Sequence, residues 1–279
     1  MLENGGAGMD ARATQVETGS VIFEVSGLGI GFGDREDILR DVDLEVRAGE
    51  FVTLLGPSGC GKTTILNLAA GLLRPRRGHV RFGGRPINGF NTSAGYMTQD
   101  DTLLPWRTVA ANIGLPLRLR KVPKAEIKSK VDNYLRILDL EHAGGLFPGQ
   151  LSGGMRRRAL LARSMIYEPA LLLMDEPFAA LDAQMRQQMH AELRETVTRL
   201  NQAVLFVTHD IAEAAALSDR VLVVGGGPPG GIVADIGIPF GRERDLSTLR
   251  FEDEFFAVER ELHDILHTAK LRASTVDEG

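Results

Sequence analysis

One stretch of eight residues, GPSGCGKT at positions 56–63, has the composition and spacing of a phosphate-binding loop. Its glycines leave room for backbone amides to converge on phosphate oxygens. Lys62 can reach the β- and γ-phosphates of a nucleotide, and the Thr63 hydroxyl can ligate Mg²⁺. We therefore predict an ATP·Mg²⁺ site whose loop residues are Gly56, Pro57, Ser58, Gly59, Cys60, Gly61, Lys62, Thr63 and Thr64.

Two adjacent carboxylates supply the second part of this predicted site. Asp175 and Glu176 follow the apolar run 171–174, and neighbouring residues at a strand end point in different directions. The pair can therefore divide two tasks. We expect Asp175 to hold Mg²⁺ through water, and Glu176 to orient or deprotonate the water that attacks the γ-phosphate.

The elements that must hold these residues alternate along the chain. Apolar and alternating runs predict strands over 21–25, 41–46, 51–55, 170–174, 203–207 and 220–224. Helices are predicted over 63–71 and 184–200, and such alternation implies a mostly parallel sheet. Between 108 and 145 the spacing is helical instead, as shown by Ile127, Val131, Leu135 and Leu138. We interpret this stretch as a helical insertion into an α/β domain.

Composition narrows the class of protein. The chain has 279 residues, enough for one large domain or two closely joined subdomains. Its net charge of −5 argues against general nucleic-acid binding, which needs a basic surface. The single cysteine, Cys60, excludes an intrachain disulfide and favours a reducing compartment. No apolar run is long enough to span a bilayer, and the N-terminus does not resemble a secretory signal, so the expected location is the cytoplasm.

The run LSGGM at 151–155 closely resembles the LSGGQ signature of ABC ATPases. Physically, a serine and two glycines at a helix N-terminus make an anion site. In that family, the signature of one subunit closes over the γ-phosphate bound by the other. The resemblance therefore implies a head-to-tail dimer in which Ser152, Gly153 and Gly154 complete the partner's ATP site. Met155 departs from the family pattern, because it replaces the usual glutamine.

The remaining motifs of that family follow in order. Gln99 lies at the Q-loop position, which implies a contact with Mg²⁺ and the attacking water. Asp182 ends the run 180–182, which resembles the D-loop that touches the opposite subunit, although Ala180 replaces the usual serine. His209 lies at the H-loop position, which implies contacts with the γ-phosphate and the catalytic carboxylate.

The adenine contact is less closely specified by the sequence. Phe32 matches the aromatic residue that stacks on adenine in the family, but Phe23 and Phe51 lie nearby, and a core aromatic is the alternative interpretation of Phe32. The resemblance covers about residues 20–240.

The resemblance also implies the architecture. The fold is expected to be a P-loop NTPase core with a mostly parallel sheet, an antiparallel β edge and an inserted α-helical subdomain at about 100–165. We expect a disordered tail over 1–19, an ABC ATPase domain over 20–240 and a C-terminal helical tail over 241–279. In this tail, helical spacing is shown by Phe251, Phe255, Val258, Leu262 and Ile265. This face could pack on its own domain or dock a partner.

One nucleotide domain without membrane spans resembles the separate motor subunit of an importer. The run LLPW at 103–106 and Met155 resemble the nitrate, sulfonate and taurine importer group. The implied partners are integral-membrane permease subunits, a substrate-binding protein acting through the complex, and a second ATPase subunit. The implied location is the cytoplasmic side of the membrane, as a peripheral subunit.

Several alternatives stay open at this point. Trp106 could anchor the permease interface or only pack its own subdomain. The second ATPase subunit could be a copy of this chain or a sister protein. The protein could instead drive a membrane ABC complex that does not import solutes, such as a lipid-trafficking or export system, or it could be a soluble P-loop kinase.

Overall fold

The computed structural model describes residues 19–31, 37–100, 102–179, 181–225, 227 and 229–274. Its strands are β1 (Val21–Ile30), β2 (Leu39–Arg47), β3 (Phe51–Leu55), β4 (Arg77–Phe82), β5 (Arg85–Pro86), β6 (Ala94–Met97), β7 (Leu171–Asp175), β8 (Ala203–Thr208), β9 (Arg220–Gly225) and β10 (Gly231–Gly237). Its α-helices are α1 (Lys62–Ala69), α2 (Val109–Ile113), α3 (Leu115–Leu119), α4 (Lys124–Ile137), α5 (Gly153–Met165), α6 (Ala183–Arg199), α7 (Ile211–Leu217), α8 (Leu246–Leu249) and α9 (Asp253–Ser274). Two single 3₁₀ turns lie at Glu141–Ala143 and Pro148–Gln150.

The larger sheet has six strands in the order β10-β9-β3-β8-β7-β6. Strands β9, β3, β8, β7 and β6 pair in parallel, and β10 closes one edge antiparallel to β9. Every residue of β3 and β8 is buried, as expected for central strands covered by helices on both faces. The α/β fold with a mostly parallel sheet, predicted from these apolar runs, is confirmed.

The smaller sheet has four strands in the order β2-β1-β4-β5, all antiparallel. Strand β2 alternates as the sequence predicts, with Leu39, Val42, Leu44 and Val46 buried and all of the residues between them exposed. These side chains share one core with β1 and α1. The antiparallel sheet therefore covers the face of the larger sheet on which α1 lies.

The chain between β6 and β7 is helical, formed by α2 to α5 and the two 3₁₀ turns. The predicted apolar face is buried, with Ile127, Val131, Leu135 and Leu138 between 3% and 6% exposed. Tyr134, on the same helix, donates a hydrogen bond of 2.9 Å to the carbonyl of Met165 at the end of α5. The helical insertion is thus confirmed, and its buried face belongs to the same core as one face of the larger sheet.

The C-terminal helix α9 packs on strand β9 and helix α7. Phe255, Val258 and Leu262 form its buried face, as their spacing predicts. Phe251 does not belong to that face, because it lies in the turn before α9 and is 80% exposed. The predicted tail over 1–19 falls outside the described residues except for Gly19, and the proposed division into domains stays a prediction. None of the described helices is both long enough and apolar enough to cross a membrane.

Candidate nucleotide-binding site

The candidate site lies at the carboxyl ends of three neighbouring parallel strands. Leu55, the last residue of β3, pairs with Thr208 at the end of β8. Val207 of β8 pairs in turn with Asp175 at the end of β7. The phosphate loop after β3, the carboxylates at the end of β7 and His209 after β8 therefore meet at one edge of the sheet, where α/β folds bind ligands.

Backbone packing explains two of the glycines in the phosphate loop. A Cβ atom at Gly56 would lie 2.4 Å from the carbonyl oxygen of Val224 and 2.9 Å from the Cys60 Sγ, so no side chain fits there. Gly61 is the N-cap of α1 and has a φ of 99°, in the left-handed region that favours glycine. Helix α1 begins at Lys62, one residue earlier than predicted. No side chain caps it and its first turn carries no acidic residue, so its first N–H groups are available to an anion.

The ammonium group of Lys62 is held at this loop. The residue is only 4% exposed. Its Nζ donates hydrogen bonds to the carbonyl oxygens of Gly56, at 2.8 Å, and Pro57, at 2.7 Å. The nearby Cys60 is 7% exposed, and burial raises the pKa of its thiol despite the opposing charge of Lys62. The loop therefore presents a fixed positive charge beside the free amides of α1.

Two oxygen ligands suited to Mg²⁺ lie together beside the loop. The Thr63 hydroxyl donates a hydrogen bond of 3.1 Å to Oδ1 of Asp175. Burial raises the pKa of Asp175, the hydrogen bond from Thr63 opposes this shift, and the charge of Glu176 adds to it. A carboxylate and a hydroxyl are ligands for a hard cation, and a cation would relieve the electrostatic stress on this pair. The donor set therefore fits the predicted metal.

Glu176 and His209 also meet at this edge. Nδ1 of His209 lies 3.1 Å from Oε2 of Glu176, and the Glu176 amide donates to the carbonyl of Val207 at 3.0 Å. Glu176 has a φ of 42°, a left-handed conformation that is uncommon for a residue with a side chain and is typical of functional sites. If Nδ1–H donates to the carboxylate, Nε2 of the ring stays free for a second partner.

The signature lies in the helical insertion, at the start of α5. Ser152 is the N-cap of this helix, and its Oγ accepts a hydrogen bond of 3.3 Å from the Met155 amide. Asp182 plays the same part for α6, where its Oδ1 accepts from the Met185 amide at 2.9 Å. The two helix starts are in contact, since a Cβ atom at Gly154 would lie 2.4 Å from Sδ of Met185.

Ser152 and Gly153 are exposed. Among the described residues, no hydrogen bond joins the signature to the phosphate loop of the same chain. The nucleotide contacts predicted for Ser152, Gly153, Gly154 and Asp182 therefore stay predictions. The structure also gives Ser152 and Asp182 a role as helix caps, which was not predicted.

The structure reveals a connection that the sequence motifs do not show. Arg157 of α5 is 6% exposed, and its guanidinium donates to the carbonyl oxygens of Gln99, at 2.6 Å, and Thr98, at 3.4 Å. Further along α5, Arg163 donates to the carbonyl of Thr102 at 2.7 Å. The backbone at the Q-loop position is thus bonded to the signature helix. The only sequence feature that could have indicated this connection was the unusual run of arginines after the signature.

The side chain of Gln99 is exposed, and within the described chain it makes no hydrogen bond to Thr63 or Asp175. Its predicted contacts with Mg²⁺ and water stay predictions. Phe32 lies outside the described residues. The two aromatics that could replace it are core residues, since Phe23 is 0% and Phe51 is 1% exposed.

Comparison with known proteins places these observations in a family. The family model for ABC transporters matches residues 39–179. The chain is 40% identical to the taurine import ATP-binding protein TauB of Chromobacterium violaceum, over 82% of this chain and 89% of that protein. It is 43% identical to the spermidine/putrescine import ATP-binding protein PotA of Oleidesulfovibrio alaskensis, over 74% of this chain. That match spans 56% of PotA, so the chain covers about half of this longer relative.

Solved structures agree with the sequence comparison. The dimeric, post-hydrolysis ATP-binding cassette MJ0796 bound to ADP and Pi aligns with a TM-score of 0.67 and 26% identity, covering 79% of this chain and 100% of that chain. The phosphate loop, the paired carboxylates and the histidine thus lie in a chain that has the fold of this family. The chain belongs to the ABC transporter family, as one of its ATP-binding subunits, and it is an ATPase.

Proposed function

We propose that this protein is the motor subunit of an ABC importer, in which ATP binding and hydrolysis at a head-to-tail dimer drive a separate permease. The observation that supports this most directly is the arrangement at the sheet edge. Lys62, Thr63 and Asp175 lie together with the Glu176–His209 pair, whose nitrogen and oxygen are 3.1 Å apart. This set can bind a triphosphate and also activate water, and the similar proteins include import ATPases for taurine and for polyamines.

Each residue has a defined task in the proposed reaction. Lys62 and the amides of α1 would hold the β- and γ-phosphates. Thr63 and Asp175 would hold Mg²⁺, which would supply positive charge against the phosphate oxygens. Glu176 orients the attacking water and accepts its proton, and Gln99 contacts the same water. His209 keeps Glu176 in place through Nδ1 and leaves Nε2 for the γ-phosphate. Catalysis then rests on positioning and charge stabilisation.

The second half of each site comes from a partner subunit. Ser152 and Gly153 are exposed at the N-terminus of α5, where free N–H groups and the helix dipole favour an anion. One solved relative that aligns with this chain, the ATP-binding cassette MJ0796, is a dimer. We therefore expect Ser152, Gly153 and Gly154 to close over the γ-phosphate held by the opposite subunit. That subunit is a second copy of this chain or a sister ATPase.

The helical insertion offers a surface for the permease. Trp106 is 71% exposed and Leu119 is 75% exposed, so the alternative in which Trp106 packs inside its subdomain is wrong. Exposed aromatic residues are frequent anchors of protein interfaces. We propose that this surface contacts integral-membrane permease subunits at the cytoplasmic side of the membrane, and that a substrate-binding protein delivers the solute to them. The LLPW run favours a solute of the nitrate, sulfonate or taurine type.

The mutation Glu176→Gln tests the hydrolytic role. We expect ATP binding to be retained and steady-state turnover to fall by at least about 100-fold, because the amide cannot accept the proton of the attacking water. Phosphate release and light scattering in the presence of ATP measure turnover and the accumulated ATP-bound dimer. The matched control is Glu195→Gln, a carboxylate on α6 that is 75% exposed. Normal turnover of Glu176→Gln would remove Glu176 from its proposed role.

Affinity purification from detergent-solubilised membranes tests the transport role. We expect a tagged chain to recover a multi-helix permease, and we expect Trp106→Ala to reduce that recovery while ATP binding persists. Recovery of soluble partners only, with the protein absent from membranes, would overturn the importer assignment but not the ATPase.

A further inference from the structure

A buried histidine connects two elements next to the proposed catalytic pair. His190 lies on α6 and is 1% exposed. Its Nε2 is 3.1 Å from Oε1 of Glu213 on α7, and its Nδ1 is 2.7 Å from Nη2 of Arg250, the C-cap residue of α8. The ring therefore joins the segment that follows the nucleotide domain to the helix that follows His209.

The partners of this ring determine its protonation. A guanidinium has no acceptor and can only donate, so Nδ1 of His190 must be the unprotonated nitrogen that accepts from Arg250. Nε2 then carries the hydrogen and donates it to the Glu213 carboxylate. A doubly protonated ring would place two N–H donors against each other at 2.7 Å. His190 is thus neutral and bonded on both sides, as a buried polar ring should be.

Glu213 connects the His190 ring to the residues that flank His209. Its Oε2 accepts a hydrogen bond of 2.7 Å from the Thr208 hydroxyl. The same hydroxyl oxygen accepts a hydrogen bond of 3.0 Å from the Asp210 amide. Nε2 of His190 lies 3.1 Å from the other carboxylate oxygen, so both oxygens of Glu213 are held. The carboxylate thereby fixes the backbone on both sides of His209.

The same ring also contacts the segment that carries Glu176. Phe178, two residues after Glu176, meets the His190 ring edge to face, with centroids 5.1 Å apart and an interplanar angle of 63°. Arg186 adds to the charged surroundings, at 3.5 Å from Asp210 and 3.9 Å from Glu213. His190 is thus packed against the loops that bear both members of the proposed catalytic pair.

We propose that Arg250, His190 and Glu213 form a positioning relay through which the C-terminal segment sets the distance between His209 and Glu176. This inference rests on the proposed roles of that pair. In this proposal, each of the three relay residues acts through the loop of His209. The C-terminal segment then takes part in hydrolysis as well as in packing.

Substitutions at His190 separate positioning from packing. His190→Leu fills the space but removes both hydrogen bonds, and we expect the kcat for ATP to fall about tenfold while KM changes less than about twofold. In His190→Gln, one amide atom can accept from Arg250 and the other can donate to Glu213, so we expect kcat to return to within about threefold of the natural protein. A purely structural role predicts no such rescue and no selective change in kcat.

A second variant keeps the proposal testable if His190→Leu does not fold. Arg250→Ala removes a half-buried side chain and should lower kcat in the same direction. Its matched control is Arg199→Ala on α6, which should leave kcat unchanged. The Arg199 side chain is 47% exposed and forms a surface ion pair with Glu195. If His190→Leu and Arg250→Ala both retain kcat within about twofold, the relay is overturned.

His209→Ala, assayed in parallel, distinguishes this failure from a failure of the proposed function. If His209→Ala abolishes turnover while the relay variants are normal, the function stands and the relay does not. If His209→Ala itself turns over normally, the role of His209 is wrong and the relay has no basis.

Discussion

Asp219 should be one of the residues on which the stability of this protein depends most. Its Oδ1 accepts from two arginines that are each 3% exposed, Arg194 at 2.7 Å and Arg244 at 3.1 Å. Its Oδ2 accepts from the Phe51 amide at 2.9 Å, at the start of the central strand β3. Burial, together with the charge of Arg194, lowers the pKa of Arg244 to about 10, and Asp219 opposes that shift. One carboxylate therefore compensates two buried cations.

Asp219→Ala leaves both guanidinium groups without their counter-charge. Removing one partner from a buried ion pair costs about 3–5 kcal/mol, so we expect the free energy of unfolding to fall by at least this amount. For a chain of this size, such a loss lowers Tm by roughly 10 °C. Urea unfolding followed by circular dichroism and a thermal scan would measure both quantities.

An exposed ion pair provides the control. Asp235 lies 3.1 Å from Nε of Arg220 and is 55% exposed, so Asp235→Ala should cost less than about 1 kcal/mol. If Asp219→Ala is as mild as this control, water must reach the two arginines, and the inference that they are effectively desolvated is wrong.

Three further predictions concern the nucleotide site. Lys62→Ala should weaken ATP binding at least about tenfold, because the fixed charge at the loop is lost; unchanged affinity in a fluorescent-nucleotide titration would contradict the phosphate-loop assignment. Cys60 should react slowly with a bulky thiol reagent at neutral pH, since burial raises the pKa of its thiol, and the labelled protein should not bind ATP. Rapid labelling followed by intact-mass spectrometry, or a labelled protein that still binds ATP, would contradict this loop geometry. Gly154→Ala should destabilise the contact with Met185 and also lower turnover; adding Met185→Ala should restore stability only, and recovery of turnover as well would show that Gly154 serves packing alone.

The parts of the fold that follow from local pattern were predictable from the sequence. Strand β3 is a run of five apolar or β-branched residues that are all buried. Along β2, buried apolar residues alternate with exposed polar residues, as the pleat of a strand requires. Strand β4 was not predicted, because most of its residues are exposed and only Val80 among them is buried. Strand β10 was also missed, because its half-exposed edge position leaves no clear apolar period. Phe251 was wrongly placed on the C-terminal helix, because spacing alone cannot show where a helix begins.

The candidate site likewise contains residues that the sequence could predict and residues that it could not. The phosphate loop and the carboxylate pair are contiguous in sequence, so residue types and spacing were enough to find them. The interactions of His190 were not predictable, since its partners Glu213 and Arg250 lie 23 and 60 residues away along the chain. The capping roles of Ser152 and Asp182 could have been inferred, because serine and aspartate are preferred before a helix.

The bonds from α5 to the Q-loop backbone have a mechanical consequence. Helix α5 has 13 residues and is therefore about 20 Å long. One end carries the signature, and Arg157 and Arg163 along its length bond to the backbone of Thr98, Gln99 and Thr102, a few residues before the exposed Trp106. A rigid rod held in this way acts as a lever. In the proposed dimer, a movement of the signature end toward the partner's γ-phosphate would also displace the segment next to Trp106, so that the closing of one ATP site and the movement of the proposed permease surface would be a single motion.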